Sequence, residues 1–217
     1  MEHEVFRSYI TEYYDYDKLD LEISNTGNIL IVGVGQKAAC SYKSTGEKKE
    51  LFDNLCLIHN DINYNQKRDF IAVPNWGINF KGDVVSIDII SNKDFDEQHL
   101  ANSSLNNIIR FMSTSLSKYF IGGYNSLFDW DSDIPENFIN NGLNLYSKGK
   151  NEYHPIDVKL SESIPSDFVL AELVTFRVVG VLSFEQSPTL SKEHELTVTI
   201  KVNDGRVFTP TITKIFE

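Results

Sequence analysis

Three kinds of hydrophobic patterning run along the chain, and each predicts a different element. Asn28–Val34 (NILIVGV) is a short apolar run rich in β-branched residues, the signature of a buried strand. Asp83–Ser91 (DVVSIDIIS) places Val85, Ile87 and Ile89 on one face of a second strand. Glu195–Val202 alternates strictly, with Leu196, Val198, Ile200 and Val202 on one side. Asn203-Asp204-Gly205 then supplies the positive-φ positions of a tight turn, and Arg206–Phe216 returns as the partner strand. Shorter strands are predicted at Leu55–His59, Phe70–Val73 and within Phe168–Leu182. Leu105, Ile108, Ile109, Met112 and Leu116 recur at helical spacing behind Ser103 and Ser104, predicting one main amphipathic helix over about 104–120. A shorter helix is expected at Pro135–Asn141, with Pro135 at its first position and Gly142 beyond its end. Residues 142–167 have little periodicity and read as a surface excursion or linker.

These elements predict a mainly β (α+β) fold, an antiparallel β-sandwich of Ig-like or related topology carrying that helix. Residues 1–22 form an acidic, Tyr-rich N-terminal segment, either a solvated tether or a first edge strand. Residues 23–217 form one β-rich domain, with a subdivision possible only near 142–167.

Charge narrows the partners. Lys and Arg number 20 against 31 Asp and Glu, a net charge of −11, and no basic cluster is longer than the pair at Lys48-Lys49. Binding to nucleic acid through its phosphates is therefore disfavoured, as is contact with anionic surfaces. No apolar run approaches the length of a membrane-spanning helix. The N-terminus shows no basic segment followed by an apolar run, which fits a cytoplasmic protein or a mature secreted one. Cys40 and Cys56 are either two buried thiols or a disulfide contributing roughly 3 kcal/mol on the chain-entropy account.

Four constellations carry candidate chemistry. Gly33-Val-Gly35-Gln-Lys-Ala38 follows a strand as a dinucleotide-binding turn does, with Asp61 as a candidate ribose ligand. Against it, Ser44-Thr45-Gly46 interrupts the helix that should follow, and no strand–helix alternation continues downstream. Asp129, Asp131 and Asp133 stand at alternate positions as calcium ligands do, and Asn92, Asp94 and Asp96 repeat the spacing. Neither has the Gly and Glu of an EF-hand, so both also read as turn and cap residues. The five histidines are scattered, with no i, i+4 pair and no nucleophile motif beside them. Aromatic residues in turn-rich segments, Tyr64 and Trp76 in one, Tyr124 and Trp130 in another, either form a ligand-binding platform or cover the core.

The stretch VVSIDIISNKDFDEQHLANSSLNNIIRFM, a strand leading through DFD into a Ser-capped helix, resembles the cell-surface lipoproteins of unknown function from gut Bacteroidales. The hairpin LTVTIKVNDGRVFTPTITKI is similar to the terminal strands of their β-sandwich domains. The resemblance implies export and outer-membrane attachment through a lipid on an upstream cysteine. Neither Cys40 nor Cys56 is placed as such a cysteine. The expected function is a non-enzymatic cell-envelope protein that binds a glycan, surface protein or other ligand through its loops. The alternatives are a glycan-binding module using the loop aromatics and a nucleotide-dependent enzyme using the Gly33–Gly35 turn. No cofactor is expected beyond calcium at the Asp129 cluster.

Overall fold

A computed structural model describes residues 8–64, 77–143, 150–173 and 177–217. Its organising feature is a long antiparallel ribbon at the N-terminus that feeds two sheets. Strands β1 (Ile10–Asp15) and β2 (Lys18–Ile23) run outward; β3 (Ile29–Val34) and β4 (Lys37–Ser41) return. The pairing Ile23↔Ile29 to Lys18↔Val34 continues without slippage into Asp15↔Lys37. Between them the ribbon bends, so β2 and β3 join one sheet while β1 and β4 join another.

The glycines at the bend explain the GxG string. Gly35 has φ +72, a conformation costly for other L-residues, and Gly33 lies under the Tyr16 ring, where an added Cβ would overlap the ring. Gln36 leads into β4 rather than a helix, so no helix N-terminus is present to hold a pyrophosphate. The nucleotide reading of Gly33 and Gly35 is thereby corrected: both serve the bend.

Helix α1 (Glu47–Ile58) begins after Gly46, whose φ of 58 places it outside the helix. Gly46 therefore starts a helix instead of breaking one. Phe52, Leu55, Cys56 and His59 recur at i, i+3, i+4 and i+7 and are buried on one face. This corrects the strand expected at Leu55–His59. The strand expected at Phe70–Val73 lies outside the described residues. The first sheet is completed by β5 (Gly77–Phe80), parallel to β1, which is its central strand. Residues 8–22 are thus no tether: Tyr9, Tyr13, Tyr14 and Tyr16 are core residues and β1 is a central strand, while β2 is an edge strand of the other sheet.

The second correction concerns 104–120. After one 3-10 turn at Asn106–Ile108, the chain forms strand β7 (Ile109–Ser115) and then the short helix α2 (Ser117–Ile121). Strand β7 is buried on both faces, Ile109 and Phe111 toward one cluster and Met112 toward another, so it carries no two-residue alternation. Its Ser-Thr-Ser run also fits a strand: each hydroxyl donates to a backbone carbonyl, of Val179, Glu172 and Val169 respectively. Helix α3 (Glu136–Asn140) follows as expected, although Pro135 caps it from an extended conformation and is not its first residue.

Strand β8 (His154–Lys159) arises within the supposed linker, and β9 (Val178–Phe184) covers only the second half of Phe168–Leu182. The resulting five-stranded sheet has the order β2-β3-β9-β7-β8. The third sheet is built on β10 (Glu193–Val202), flanked by β6 (Val84–Ser91) and by the expected hairpin arm. That arm is two strands, β11 (Val207–Phe208) and β12 (Thr211–Ile215), in one unshifted register with β10. Pro210 lies in the gap, where its carbonyl still accepts from Val198.

The architecture is mainly β with antiparallel sheets, as expected, but in three sheets and without a main helix at 104–120. The largest core joins Leu19, Leu21, Ile29 and Ile31 of the five-stranded sheet to Ile87, Ile89, Val198 and Ile200 of the third. Each such side chain contributes about 1.5–3 kcal/mol on burial. No helix among the described residues is long and apolar enough to cross a membrane.

Gly33→Ala is expected to cost about 1–3 kcal/mol, because the new methyl must displace the Tyr16 ring. In a Tyr16→Leu background the same change is expected to cost measurably less. Urea denaturation of the four proteins of this cycle checks it; equal costs in both backgrounds would place the clash elsewhere.

Candidate binding cleft

The expected aromatic platform is not a surface. Tyr64 and Tyr124 are buried, edge-on to each other at 5.3 Å between centroids, and the Tyr124 hydroxyl donates to Asp61 at 2.9 Å. Trp130 is buried between Phe128 and Phe138, its indole N–H donating to the Tyr153 carbonyl at 3.0 Å. A ring packed on both sides and already hydrogen-bonded offers no face for a sugar. Trp76 lies outside the described residues. Asp129 accepts from the N–H groups of Asp131 and Ser132, and Asp133 accepts from the Ser132 hydroxyl, so these acids shape an exposed turn. In the second cluster Asn92, Asp94 and Asp96 likewise accept from backbone N–H groups. Among the described residues no three His, Cys, Asp or Glu side chains are grouped around a metal position.

Asp61 is not on a ribose site either. It is wholly buried and accepts from Tyr9 N, Ile10 N and the Tyr124 hydroxyl. Burial still pushes its carboxyl up to about 6. Cys40 and Cys56 are unbridged thiols in the same cluster, pushed by burial to about 11 and about 12 and so held as thiols at neutral pH. His59 links the Tyr13 hydroxyl (2.9 Å) to Asp83 (3.0 Å), and His194 links Ser91 Oγ to the Ser191 carbonyl, both at 2.7 Å. Both rings are buried, so these His–carboxylate and Ser–His contacts are internal ties of the fold.

The outer face of the five-stranded sheet is where the structure opens. Leu30, Val32 and Val34 of β3 and Val178 and Val181 of β9 point away from the main core. Trp130, Phe138 and Leu143 of the 128–143 excursion cover part of this face. Toward β2 there remains a cleft of about 430 Å³, lined by Leu30, Val32, Val34, Leu143, Leu173 and Val178, with Glu22 and Arg177 as its charged residues among those described. The size and the apolar floor with few polar groups are those of small-molecule sites. Sequence reading missed it because it looked for function in loops, whereas this floor is the second face of a strand taken as wholly buried.

Two features shape the cleft. The pairing of β3 with β9 shifts between Ile31 and Val32, a bulge that ends with the Gly33 N–H donating to the Arg177 carbonyl at 2.8 Å. Arg177 itself has φ +60. Behind Gly33, Tyr16 directs its hydroxyl toward Glu172 at 3.5 Å, and Phe80 N–H reaches the other carboxyl oxygen at 3.4 Å. These contacts are long, and Glu172 is buried, which pushes its carboxyl up to about 8.

A carboxyl raised in the folded state keeps its proton while the unfolded chain releases it, so stability falls as pH rises from the ordinary Glu value toward 8. Below that ordinary value the penalty is absent. Glu172→Gln is therefore expected to flatten the decline, gaining on the order of 2–3 kcal/mol over the parent between pH 5 and pH 8. Urea midpoints at the two pH values test this, and an unchanged pH slope would show that Glu172 ionises freely. No known protein family, curated protein or solved structure was found to match the chain.

Proposed function

We propose that this chain is a non-enzymatic binding protein of the cell envelope, and that its ligand sits in the cleft on the outer face of the five-stranded sheet. The observation that carries the reading is the cleft of about 430 Å³ beside the 128–143 cover, where Leu30 and Val34 of β3 keep part of their apolar surface in solvent. An open apolar depression costs hydration free energy, which a ligand of matching shape recovers. The envelope placement is supported by the likeness of residues 196–215 to the terminal strands of lipoproteins of that compartment. Burial of Tyr64, Tyr124 and Trp130 moves the binding role from the loops to the sheet. Cleavage chemistry finds less support, since His59 and His194 are spent on buried partners.

The neutral dye N-phenyl-1-naphthylamine is expected to bind saturably at one site per chain. Val34→Asp, which puts a charge on the exposed edge of the floor, is expected to weaken it by about tenfold or more. Val207→Asp, at an exposed apolar position of the terminal hairpin, is expected to leave it unchanged. Absence of saturable binding, or equal loss in both variants, would overturn the cleft as the site.

A further inference from the structure

We infer that the cleft selects a small monocarboxylate with an apolar body, an inference that rests on the cleft being the binding site. Arg177 holds an unusual backbone conformation, with φ +60. A left-handed backbone is unfavourable for a non-glycine residue by roughly 1–2 kcal/mol, and glycine or asparagine would relieve it. An arginine nevertheless stands there, where the β3–β9 bulge turns the chain and the carbonyl of Arg177 is held by Gly33. Bulges commonly re-aim a side chain, and at this one Arg177 stands among the residues that line a mostly apolar cleft.

On β2 the outward row is Lys18, Asp20 and Glu22; Lys18 and Asp20 pair at 2.5 Å, leaving Glu22 as the acid on the cleft wall. Arg110 and Arg206 are each engaged by two carboxylates. Arg177 forms no ion pair among the described residues and is exposed to solvent. Its planar fork matches a carboxylate through two parallel N–H···O bonds, a geometry a lysine cannot offer. Glu22 on the same cleft disfavours ligands with a second negative charge. Leu30, Val32, Leu173 and Val178 take the apolar body.

Competition against the bound neutral dye tests the selection, using decanoate, 1-decanol and decyltrimethylammonium. Decanoate is expected to displace the dye at about tenfold lower concentration than the other two. Arg177→Gly is expected to erase that difference, each competitor being referred to the variant's own dye affinity, and to leave the thermal midpoint undiminished, because glycine accepts the left-handed backbone. Arg177→Lys is expected to retain only part of it. If decanoate competes no better than decanol while the dye binds normally, the carboxylate inference fails and the cleft stands. If the dye does not bind at all, both fail. A preference for decanoate that survives Arg177→Gly would overturn the role of Arg177.

Discussion

The ring of Tyr16 seated on the bare backbone of Gly33 is the contact on which the arrangement of sheets depends. It lies where one antiparallel ribbon leaves the first sheet and enters the five-stranded one. A two-stranded ribbon bends sharply only if the inner side of the bend has room, and a glycine beneath an aromatic ring provides it. The ring also joins Tyr14 and Phe80, at 5.1 Å from each, so the bend is anchored in the main core. Arg206 of the terminal hairpin closes over this corner, donating to the Tyr16 carbonyl and pairing with Asp15. All three sheets therefore meet at one residue.

The second core is tied by polar groups as well as packing. Asp61 holds the backbone at Tyr9 and Ile10, and Asp83 accepts from Leu170 N, the Asn203 side chain and His59. These two carboxyls connect the start of the chain, the end of α1 and the terminal hairpin turn. Buried carboxyls with both oxygens engaged favour one arrangement over its near-alternatives, since any shift leaves a desolvated acceptor unpaired. Glu172 is the contrasting case: with two long contacts and no cation paired to it among the described residues, it is held neutral rather than held charged.

How much of this was legible depended on whether a segment obeys a single periodicity. The β10 hairpin was, because one face is wet and Asp204-Gly205 marks its turn. Strand β7 was not: buried on both sides, its apolar residues fall by chance at helical spacing, and only the Ser-Thr-Ser run argues for a strand. Helix α1 was hidden by its charged outer face and by reading Gly46 as an interruption. Of the candidate site residues, the tyrosines and Trp130 became core because each ring found neighbours far away in sequence, which no local pattern reveals. Arg177 carried no signal, since its significance lies in a backbone angle and a bulge that only pairing creates.

The cleft and the fold then appear as consequences of one another. Bending the ribbon commits β3 to two cores, with Ile29 and Ile31 facing inward and Leu30 and Val32 facing outward. The 128–143 excursion covers part of the outward face, where Val32, Val181 and Met112 pack in one cluster with Trp130, Phe138 and Leu143. What stays open lies beside the bend itself, so Gly33 borders the cleft on one side and carries Tyr16 on the other. A ligand pressing on Leu30 and Val32 would bear on the strand whose far side holds the main core together. Binding there should accordingly stabilise the whole domain by mass action, not just the cleft walls.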